Sequence, residues 1–493
     1  MAVAISQLPA NVAVPLFYAQ VSNDNAGVFT QNGRRLLIGQ KLSAGSSPAA
    51  EKSLITSVEQ GWTLYGRGSL LARMIEAYLS NDPYGELYAI PLADDGAGTA
   101  AVHTVTITGP ATESGQLNLY IGARRVRAGV SAADTATAMA AALAAAINAD
   151  LDLPVTAASA SGVVTVTSRH KGECGNAVGF AMNWFGEMGG ERLPAGASVA
   201  IAQTVQGSGN PLLVGVISAM GDDPFDYIAL PYTDTTSLNA MRDEMASRWN
   251  AIRMIYGHVY TAKVDALGNL TVLGDARNDP SLTIVGINNT PWPAYEIAPG
   301  YMGQTAPSLE VDPARPVHTL VVKGGLAPKV GYNFTEKQAL IDHGIAPLAP
   351  DAGGEPAIVS AVTTYTKNAH GARDRSYQNV TTRANLTYII RFLQARITQK
   401  FGRHKLADNG TRFGAGQAIT TPNIIRAELV AAYSELEALG LVENTEAFKA
   451  ALIVERDATN PDRVNVLFAP DLVNELKVFG MLVQFRQQYA TAA

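Results

Sequence analysis

The sequence predicts a mixed α/β fold made of several domains. The chain has 493 residues, and domains of about 100–200 residues are usual, so about three are expected. Strand and helix patterns alternate over residues 34–91 and again over residues 212–288. Between these two stretches the composition changes sharply to Ala, Thr and Val. Hydrophobic residues make up 47% of the chain, which is enough material for more than one packed core.

The charge balance argues against a nucleic-acid partner. Lys and Arg number 37 against 43 Asp and Glu, which gives a formal net charge of −6. A dedicated nucleic-acid binder usually carries a large positive balance. Charged residues make up 16% of the chain, below the ~25% of ordinary soluble domains. So low a fraction in so long a chain indicates that part of the surface is covered in an assembly.

No segment predicts export or membrane insertion. The N-terminal residues lack the basic start of a secretory signal. No apolar run reaches the ~20 residues that a membrane-spanning helix needs. We therefore expect assembly in a cytoplasm.

A search for catalytic chemistry finds no recognisable motif. The patterns GxxxxGK[ST], HExxH, CxxC, GxSxG and GxGxxG are all absent. The seven histidines have no ligand spacing, and the single Cys174 excludes an intrachain disulfide framework. The prediction is a protein with no enzymatic activity, no cofactor and no metal. The alternative from another class is a hydrolase with an unrecognised site, for which Asp275 and Asp279 would be tested first.

The first twenty residues predict an extended arm. Val12, Val14, Leu16 and Tyr18 alternate with other residues in the period of a strand. Pro15 restricts that strand to a sheet edge or a bulge. Because an isolated strand is unstable, it must join a sheet. The pattern leaves open whether that sheet belongs to the same subunit or to another.

The next part predicts a discontinuous α/β domain over residues 21–98 and 204–350. Its predicted helices are Gly68–Leu79 and Ser237–Ile252, and Pro291–Pro356 is expected to wrap over the surface because it is rich in Pro and Gly. The predicted strands are Arg34–Gly39, Glu86–Pro91, Asp226–Pro231, Ile255–Tyr260 and Leu282–Gly286.

Residues 99–203 predict a β-rich module inserted into that domain. Its expected order is β-β-α-β, with a hairpin turning at Gly122 and a helix that Ser131 caps. The two ends of a tolerated insertion lie close together.

Residues 351–493 predict a C-terminal domain. Helices are expected over Asn385–Lys405 and Ile424–Leu439, and a strand over Ala357–Tyr365. Two further strands, Arg463–Phe468 and Leu476–Phe485, each place apolar side chains on one face. Those side chains are Val464, Val466 and Phe468 in the first strand, and Phe479, Met481, Val483 and Phe485 in the second.

The helix Asn385–Lys405 also carries the one concentration of positive charge. The apolar stripe expected to face the core consists of Leu386, Ile389, Ile390, Leu393, Ile397 and Phe401. The basic residues are Arg391, Arg396, Lys400, Arg403 and Lys405. The pattern fits a solvated helix face or docking onto an acidic protein surface, and only weakly fits nucleic-acid binding.

The C-terminal third contains four distinctive segments: TYTKNA from Thr364, FGRHKLADNGTRFGAGQA from Phe401, TPNIIRAEL from Thr421 and RVNVLFAPDLVNEL from Arg463. With these segments it resembles the tail sheath proteins of Mu-like contractile-tailed bacteriophages. The similarity runs in unbroken order over residues 357–489.

The resemblance implies a structural subunit of a contractile tail sheath. Such subunits form six-membered rings that stack helically around a tail tube, and contraction drives the tube through the host envelope. The implied partners are other copies of the chain, the tail tube protein, and baseplate and tail terminator proteins, in a virion assembled in the host cytoplasm. A related phage-like injection or secretion system is the alternative.

Two sets of site residues follow from the resemblance. The N- and C-terminal arms would be exchanged between subunits as β-strands. The residues expected in that exchange are Val12, Val14, Leu16, Tyr18, Val464, Val466, Phe468, Phe479, Met481, Val483 and Phe485. The basic residues Arg391, Arg396, Lys400, Arg403 and Lys405 would face the tube.

Overall fold

The computed structural model describes residues 33–487 of the chain. The arm predicted around Val12, Val14, Leu16 and Tyr18 lies outside these residues.

Strands are distributed along the whole described range. They are β1 (Arg34–Gln40), β2 (Ser53–Ile55), β3 (Leu87–Leu92), β4 (Ala100–Thr108), β5 (Gly115–Ile121), β6 (Arg124–Val130), β7 (Val155–Ala160), β8 (Val163–Lys171), β9 (Phe180–Met182), β10 (Ser198–Val205), β11 (Phe225–Ala229), β12 (His258–Val264), β13 (Leu282–Ile287), β14 (Ile345–Pro350), β15 (Pro356–Ile358), β16 (Lys405–Leu406), β17 (Ile419–Thr420), β18 (Val442–Glu443), β19 (Ile453–Arg456), β20 (Val464–Leu467) and β21 (Asp471–Leu472).

α-Helices lie between several of these strands. They are α1 (Val58–Tyr65), α2 (Leu70–Leu79), α3 (Ala136–Ala149), α4 (Val214–Met220), α5 (Thr235–Arg248), α6 (Leu267–Asp275), α7 (Ala294–Val311), α8 (Phe334–Asp342), α9 (Val380–Phe401), α10 (Pro422–Ala438) and α11 (Thr445–Ala451).

An eight-stranded sheet organises the α/β part, with strand order β15-β14-β13-β12-β11-β1-β3-β2. Its six inner strands pair in parallel, and the edge strands β2 and β15 run antiparallel. Parallel strands are covered on both faces and therefore read as continuous apolar runs. For this reason the predicted bounds of β1, β3, β11 and β13 agree with the observed ones within one or two residues. β1 lies before the insert in sequence and β11 lies after it. One sheet is therefore built from both sides of the insert.

The expectation that Pro291–Pro356 wraps over the surface is wrong. This stretch contains α7, and thirteen of the 18 residues in that helix are buried. Pro299 and Pro307 lie inside it, where each removes a helical hydrogen bond at a cost of about 3 kcal/mol or more. Packing outweighs that cost: Gly303 lets α7 approach α2 so closely that an added Cβ would lie 2.8 Å from the Cβ of Asn81.

The insert contains more strands than the predicted β-β-α-β order. A four-stranded sheet, β10-β4-β8-β7, and a three-stranded sheet, β6-β5-β9, are accompanied by α3. The hairpin turn at Gly122, with φ of +61°, is confirmed. The helix begins later than expected, because Thr135 and not Ser131 caps it by accepting a hydrogen bond from the Ala138 N–H.

The first and last strands of the insert lie side by side. β4 and β10 pair antiparallel, and the Thr99 N–H donates to the Ser208 carbonyl at 2.8 Å. The insert is also docked onto the large sheet's helices. His170 Nε2 accepts a hydrogen bond from the Leu70 N–H at 3.1 Å, and Arg67 Nε donates to Asp152 at 2.5 Å.

The C-terminal domain has a second apolar core. Its buried members include Ile389, Leu429, Tyr433, Leu436 and Phe448. The helix predicted over Ile424–Leu439 is confirmed as α10, with Thr421 as its N-cap and Pro422 in the first turn. The strand predicted over Ala357–Tyr365 is wrong beyond β15, because the chain leaves β14 there. The Val380 N–H donates to the Ala361 carbonyl at 3.2 Å, and the Thr364 N–H donates to the Leu282 carbonyl at 2.9 Å.

We predict that His258 makes folding stability depend on pH. Thr283 Oγ1 donates its only proton to the Val362 carbonyl. His258 Nε2 lies 2.8 Å from Thr283 Oγ1, so Nε2 must carry a proton and donate it to Thr283 Oγ1. Burial, and to a smaller extent the positive charge of Arg383, lowers the pKa of His258 to about 3. The unfolded-state pKa of a histidine is about 6.5. The stability that the folded state gains by keeping His258 neutral is therefore complete above pH 6.5 and is lost as the pH falls towards 3. Between pH 7 and pH 5 it amounts to about 2 kcal/mol.

Denaturant unfolding at pH 7 and pH 5 tests this prediction. The His258→Gln variant should lose about 2 kcal/mol less than the wild type over that interval. The matched control is His370→Gln, at an exposed histidine, which should keep the wild-type slope. Equal slopes for all three proteins would contradict a buried neutral His258.

A second prediction concerns removal of the insert. Excision of residues 99–207 with a short Gly/Ser closure should leave a folded protein, because the two ends are adjacent. The protein should be less stable, since excision removes the contacts that dock the insert, including the hydrogen bond from the Leu70 N–H to His170, and one such bond contributes about 0.5–1.5 kcal/mol. Circular dichroism and thermal unfolding measure both effects. A chain without cooperative unfolding would show that the sheet domain cannot form alone.

Candidate assembly interface

The basic residues of the C-terminal domain do not share one surface. Arg391 Nη2 lies 2.5 Å from Oδ1 of Asp226 on β11, and Asp226 is buried. Burial raises the pKa of Asp226, and the Arg391 charge opposes that rise. Arg391 therefore compensates a buried carboxylate inside its own subunit, and its predicted tube contact stays a prediction.

Two further basic side chains join α9 to α10. Arg396 Nε lies 2.5 Å from Glu428 Oε1, and its Nη1 lies 2.5 Å from Glu435 Oε2. Lys400 Nζ also bonds to Glu428. Burial tends to raise the pKa of Glu428, but the hydrogen bonds from Lys400 and Arg396 outweigh it, and the pKa is lowered. The four charged side chains form a network that holds the two helices together.

The remaining basic residues follow the end of α9. The helix ends at Phe401, four residues before the predicted end, so Arg403 and Lys405 are not on it. Both are exposed, as is Arg412 in the loop that joins β16 to β17. Lys405 Nζ donates to the neutral Gln417 Oε1 at 3.4 Å. Three exposed basic residues, Arg403, Lys405 and Arg412, therefore lie within residues 403–412.

The predicted apolar stripe is partly confirmed. Ile389 is buried, and Leu393, Ile397 and Phe401 pack against the second core at steps of four residues. Leu386 and Ile390 are half-buried and lie outside that core. The helix starts at Val380, and its first turns pack against the α/β part instead, where Arg383 lies 3.6 Å above the ring of Trp249.

A two-stranded hairpin forms one edge of this domain. β20 pairs antiparallel with β19, with Val466 opposite Val454 and Val464 opposite Arg456. Val464 and Phe468 pack against the second core, whereas Val466 and Leu467 are 43% and 57% exposed. Within the described residues this sheet has two strands, so each has one edge without a strand beside it.

The C-terminal tail is held at its base and exposed beyond it. Thr381 Oγ1, in the first turn of α9, donates to Glu475, and Lys477 Nζ lies 2.7 Å from Asn379 Oδ1. The predicted strand Leu476–Phe485 does not form, because these residues have no neighbouring strand in the described part of the chain. Its apolar side chains are 69–83% exposed, and they are Leu476, Val478, Phe479, Met481, Leu482, Val483 and Phe485.

The candidate hydrolase residues are occupied in structural contacts. Asp275 lies 2.8 Å from His343 Nδ1 at the surface, and buried Asp279 accepts a hydrogen bond from the Ser281 N–H. Cys174 is buried, and burial raises the pKa of its thiol. Over residues 33–487 no three His, Cys, Asp or Glu side chains are grouped to hold a metal ion. In the same range no helix is long and apolar enough to cross a bilayer.

Comparison with known proteins gives consistent matches along the chain. Residues 96–198 match the phage tail sheath protein beta-sandwich domain, residues 206–364 the central domain and residues 372–486 the C-terminal domain. Over 489 residues the chain is 39% identical to the Mu-like prophage FluMu tail sheath protein of Haemophilus influenzae, covering 98% of this chain and 100% of that protein.

Matches among solved structures include two bacterial sheath tail proteins. That from Desulfitobacterium hafniense is 13% identical with a TM-score of 0.49, covering 94% of this chain and 97% of its own. That from Listeria innocua is 12% identical with a TM-score of 0.47, covering 90% and 93%. The helical sheath of the anti-feeding prophage in its contracted state is 12% identical with a TM-score of 0.48, covering 97% and 100%.

Proposed function

The chain belongs to the phage tail sheath protein family, and from that premise we propose that it polymerises as stacked six-membered rings around a tail tube. Contraction of this polymer drives the tube through the host envelope. The partners are other copies of the chain, the tube protein, and the baseplate and terminator proteins at the two ends of the tail. The polymer needs no nucleotide, because the extended state is held by a kinetic barrier and releases stored free energy.

The exposed C-terminal tail is the observation that carries this proposal. A monomeric protein rarely leaves seven neighbouring apolar side chains in water. Each side chain gains about 1.5–3 kcal/mol when it is buried. A tail of this composition supports strand exchange, in which residues such as Phe479, Met481, Val483 and Phe485 pair with a neighbouring subunit.

The hairpin β19–β20 offers the complementary edge. An isolated two-stranded hairpin is marginally stable in water, and a third strand increases its stability. The outward side chains Val466 and Leu467 give an incoming strand apolar contacts. Addition of a strand supplies main-chain hydrogen bonds for affinity and side-chain pockets for specificity. In the proposed sheath, the N-terminal arm with Val12, Val14, Leu16 and Tyr18 joins the same type of sheet.

The five predicted tube-facing residues fall into two groups. Arg391, Arg396 and Lys400 form ion pairs within the described residues, and Arg403 and Lys405 do not. Arg396 and Lys400 both pair with the buried Glu428, so each already has a partner inside its own subunit. We therefore assign the tube contact to Arg403 and Lys405, together with Arg412. Exposed charges contribute about 0–1 kcal/mol each and are screened by salt. Such weak contacts, repeated in every subunit, template a sheath that can still release the tube.

We predict that deletion of residues 478–493 abolishes polymers and leaves a folded subunit. The deletion begins after Glu475 and Lys477, so the contacts at the start of α9 remain. Electron microscopy should show no tubes, and circular dichroism should match the full-length chain. As a matched control, Phe479→Tyr should preserve tubes, because it keeps the ring. Tubes of normal length from the deletion variant would rule out exchange through the tail.

We predict that Arg403→Glu with Lys405→Glu prevents co-assembly with the tube. The subunit should stay folded, because neither side chain forms an ion pair within residues 33–487, and it should still polymerise into empty sheaths. The contrasting variant Arg396→Glu should unfold more easily, since it places a third carboxylate beside Glu428 and Glu435. Pelleting with purified tubes measures the first effect and thermal unfolding the second. Normal tube binding by the double variant would refute the assignment.

A further inference from the structure

The four-stranded sheet of the insert has two edges, and one of them is closed by a side chain. The strand order is β10-β4-β8-β7, so β7 and β10 are the edge strands. At the middle of β7, Asn148 Nδ2 donates to the Ala157 carbonyl at 2.7 Å, and Asn148 Oδ1 accepts a hydrogen bond from the Ala157 N–H at 2.9 Å. The amide thus takes the place of a neighbouring strand, and a further strand cannot pair there without displacing it.

The opposite edge, at β10, is open. The Ile107 N–H of β4 donates to the Gly162 carbonyl, on the side of β8. Because backbone groups alternate in direction along an antiparallel strand, those of Val105 point to the same side. Val199 and Ile201 of β10 lie opposite these two residues, so their N–H and C=O groups point away from β4. Within residues 33–487 no strand lies on that side of β10.

The sequence of β10 does not protect this edge. Exposed edge strands usually carry charged residues or proline, which hinder pairing with another chain. Ser198–Val205 contains neither, and its register with β4 shifts only near its C-terminal end. The apolar face of the sheet is also incompletely covered here, because Val199 and Ile201 are half-buried whereas Val105 and Ile107 on β4 are buried. An added strand would extend that apolar face.

The strand that fits this edge is β10 of a second copy. Antiparallel pairing about a two-fold axis places Ile201 opposite itself and Val199 opposite the second copy's Gln203. Neither strand carries a charge, so the pair contains no like-charge repulsion. A two-fold axis perpendicular to the sheet keeps both apolar faces on the same side. Head-to-tail joining of β10 to β7 of a second copy is opposed instead, because Asn148 occupies that edge.

We propose that two free subunits associate through β10, which joins the sheets of their inserts into one continuous sheet. The outward backbone groups supply main-chain hydrogen bonds, and the Val199 and Ile201 faces supply apolar contact. Such an isologous contact closes at two copies. It differs from the contacts of the proposed sheath, because neighbouring subunits of a polar stack of rings are not related by a two-fold axis. The pair therefore forms outside the sheath and does not depend on it.

Disulfide cross-linking of purified, unassembled subunits tests the axis. The method suits the chain because its one native cysteine, Cys174, is buried. Ile201→Cys should give a disulfide-linked dimer on a non-reducing gel, since opposite Cα atoms of a hydrogen-bonded pair are about 5.5 Å apart, within the reach of a disulfide. Val199→Cys should stay monomeric, because its two copies would lie about 13 Å apart along the strands. Val199→Cys with Gln203→Cys should restore the dimer.

Each of these variants has an outcome that overturns the proposal. Equal cross-linking of Val199→Cys and Ile201→Cys would indicate another register or random collision. The absence of a dimer from folded Ile201→Cys, with the fold checked by circular dichroism, would exclude pairing about this axis. If Ile201→Cys misfolds, the double variant decides, and a folded double variant that stays monomeric would refute the pairing.

Sedimentation velocity of the full chain, below the concentration at which tubes form, gives a second test. Ala200→Lys with Ala202→Lys alters two exposed residues and places like charges directly opposite each other in the pair. The wild-type dimer peak should be lost. The matched control, Ala158→Lys with Ala160→Lys, adds the same charges at exposed residues of β7 and should keep the dimer. Dimers from the β10 variant, or monomers from the control, would contradict pairing through β10. Tube formation by the β10 variant is expected, so a failure of this proposal and a failure of sheath assembly are read separately.

Discussion

The burial of α7 against the parallel sheet is the constraint on which the rest of the subunit depends. The helix carries a carboxylate near each end, and each needs a cation. Glu296 lies 2.9 Å from Arg73 on α2, and Glu310 lies 2.7 Å from Arg35 at the start of β1. Burial raises the pKa of Glu310, and Arg35 opposes the rise. Removing one partner of such a pair costs about 3–5 kcal/mol, so α7, α2 and β1 must be placed together.

The same compensation extends from the sheet to the C-terminal domain through α9. Its first turns meet the α/β part, where Arg383 stacks on Trp249 and Arg391 reaches Asp226. Its last turns belong to the second core, where Arg396 and Lys400 meet Glu428. One helix therefore serves two domains, and its charged residues are used internally along most of its length. Arg403 and Lys405, which form no ion pair within the described residues, lie past the end of the helix.

Sequence patterns located the elements whose burial leaves a clear pattern in the sequence. β1, β3 and β13 are apolar runs, and α10 has an N-cap, an early proline and a terminal glycine, so these were predictable. The Pro and Gly content of Pro291–Pro356 concealed α7, because close packing against Asn81 and its neighbours is a tertiary effect. The ion pairs of Arg391 and Arg396 were equally hidden, since Asp226 and Glu428 are distant in sequence. Leu476–Phe485 has the period of a strand, but a strand requires a neighbour that the single chain does not supply.

The interior of the subunit is complete without its tail. Both cores close within residues 33–472, and the tail is attached by a few polar contacts around Glu475 and Lys477. Binding or release of the tail therefore does not require the domains to unfold. In the proposed sheath, subunits could rotate against one another while the tails keep them joined. In that proposal the free energy of contraction comes from contacts between subunits.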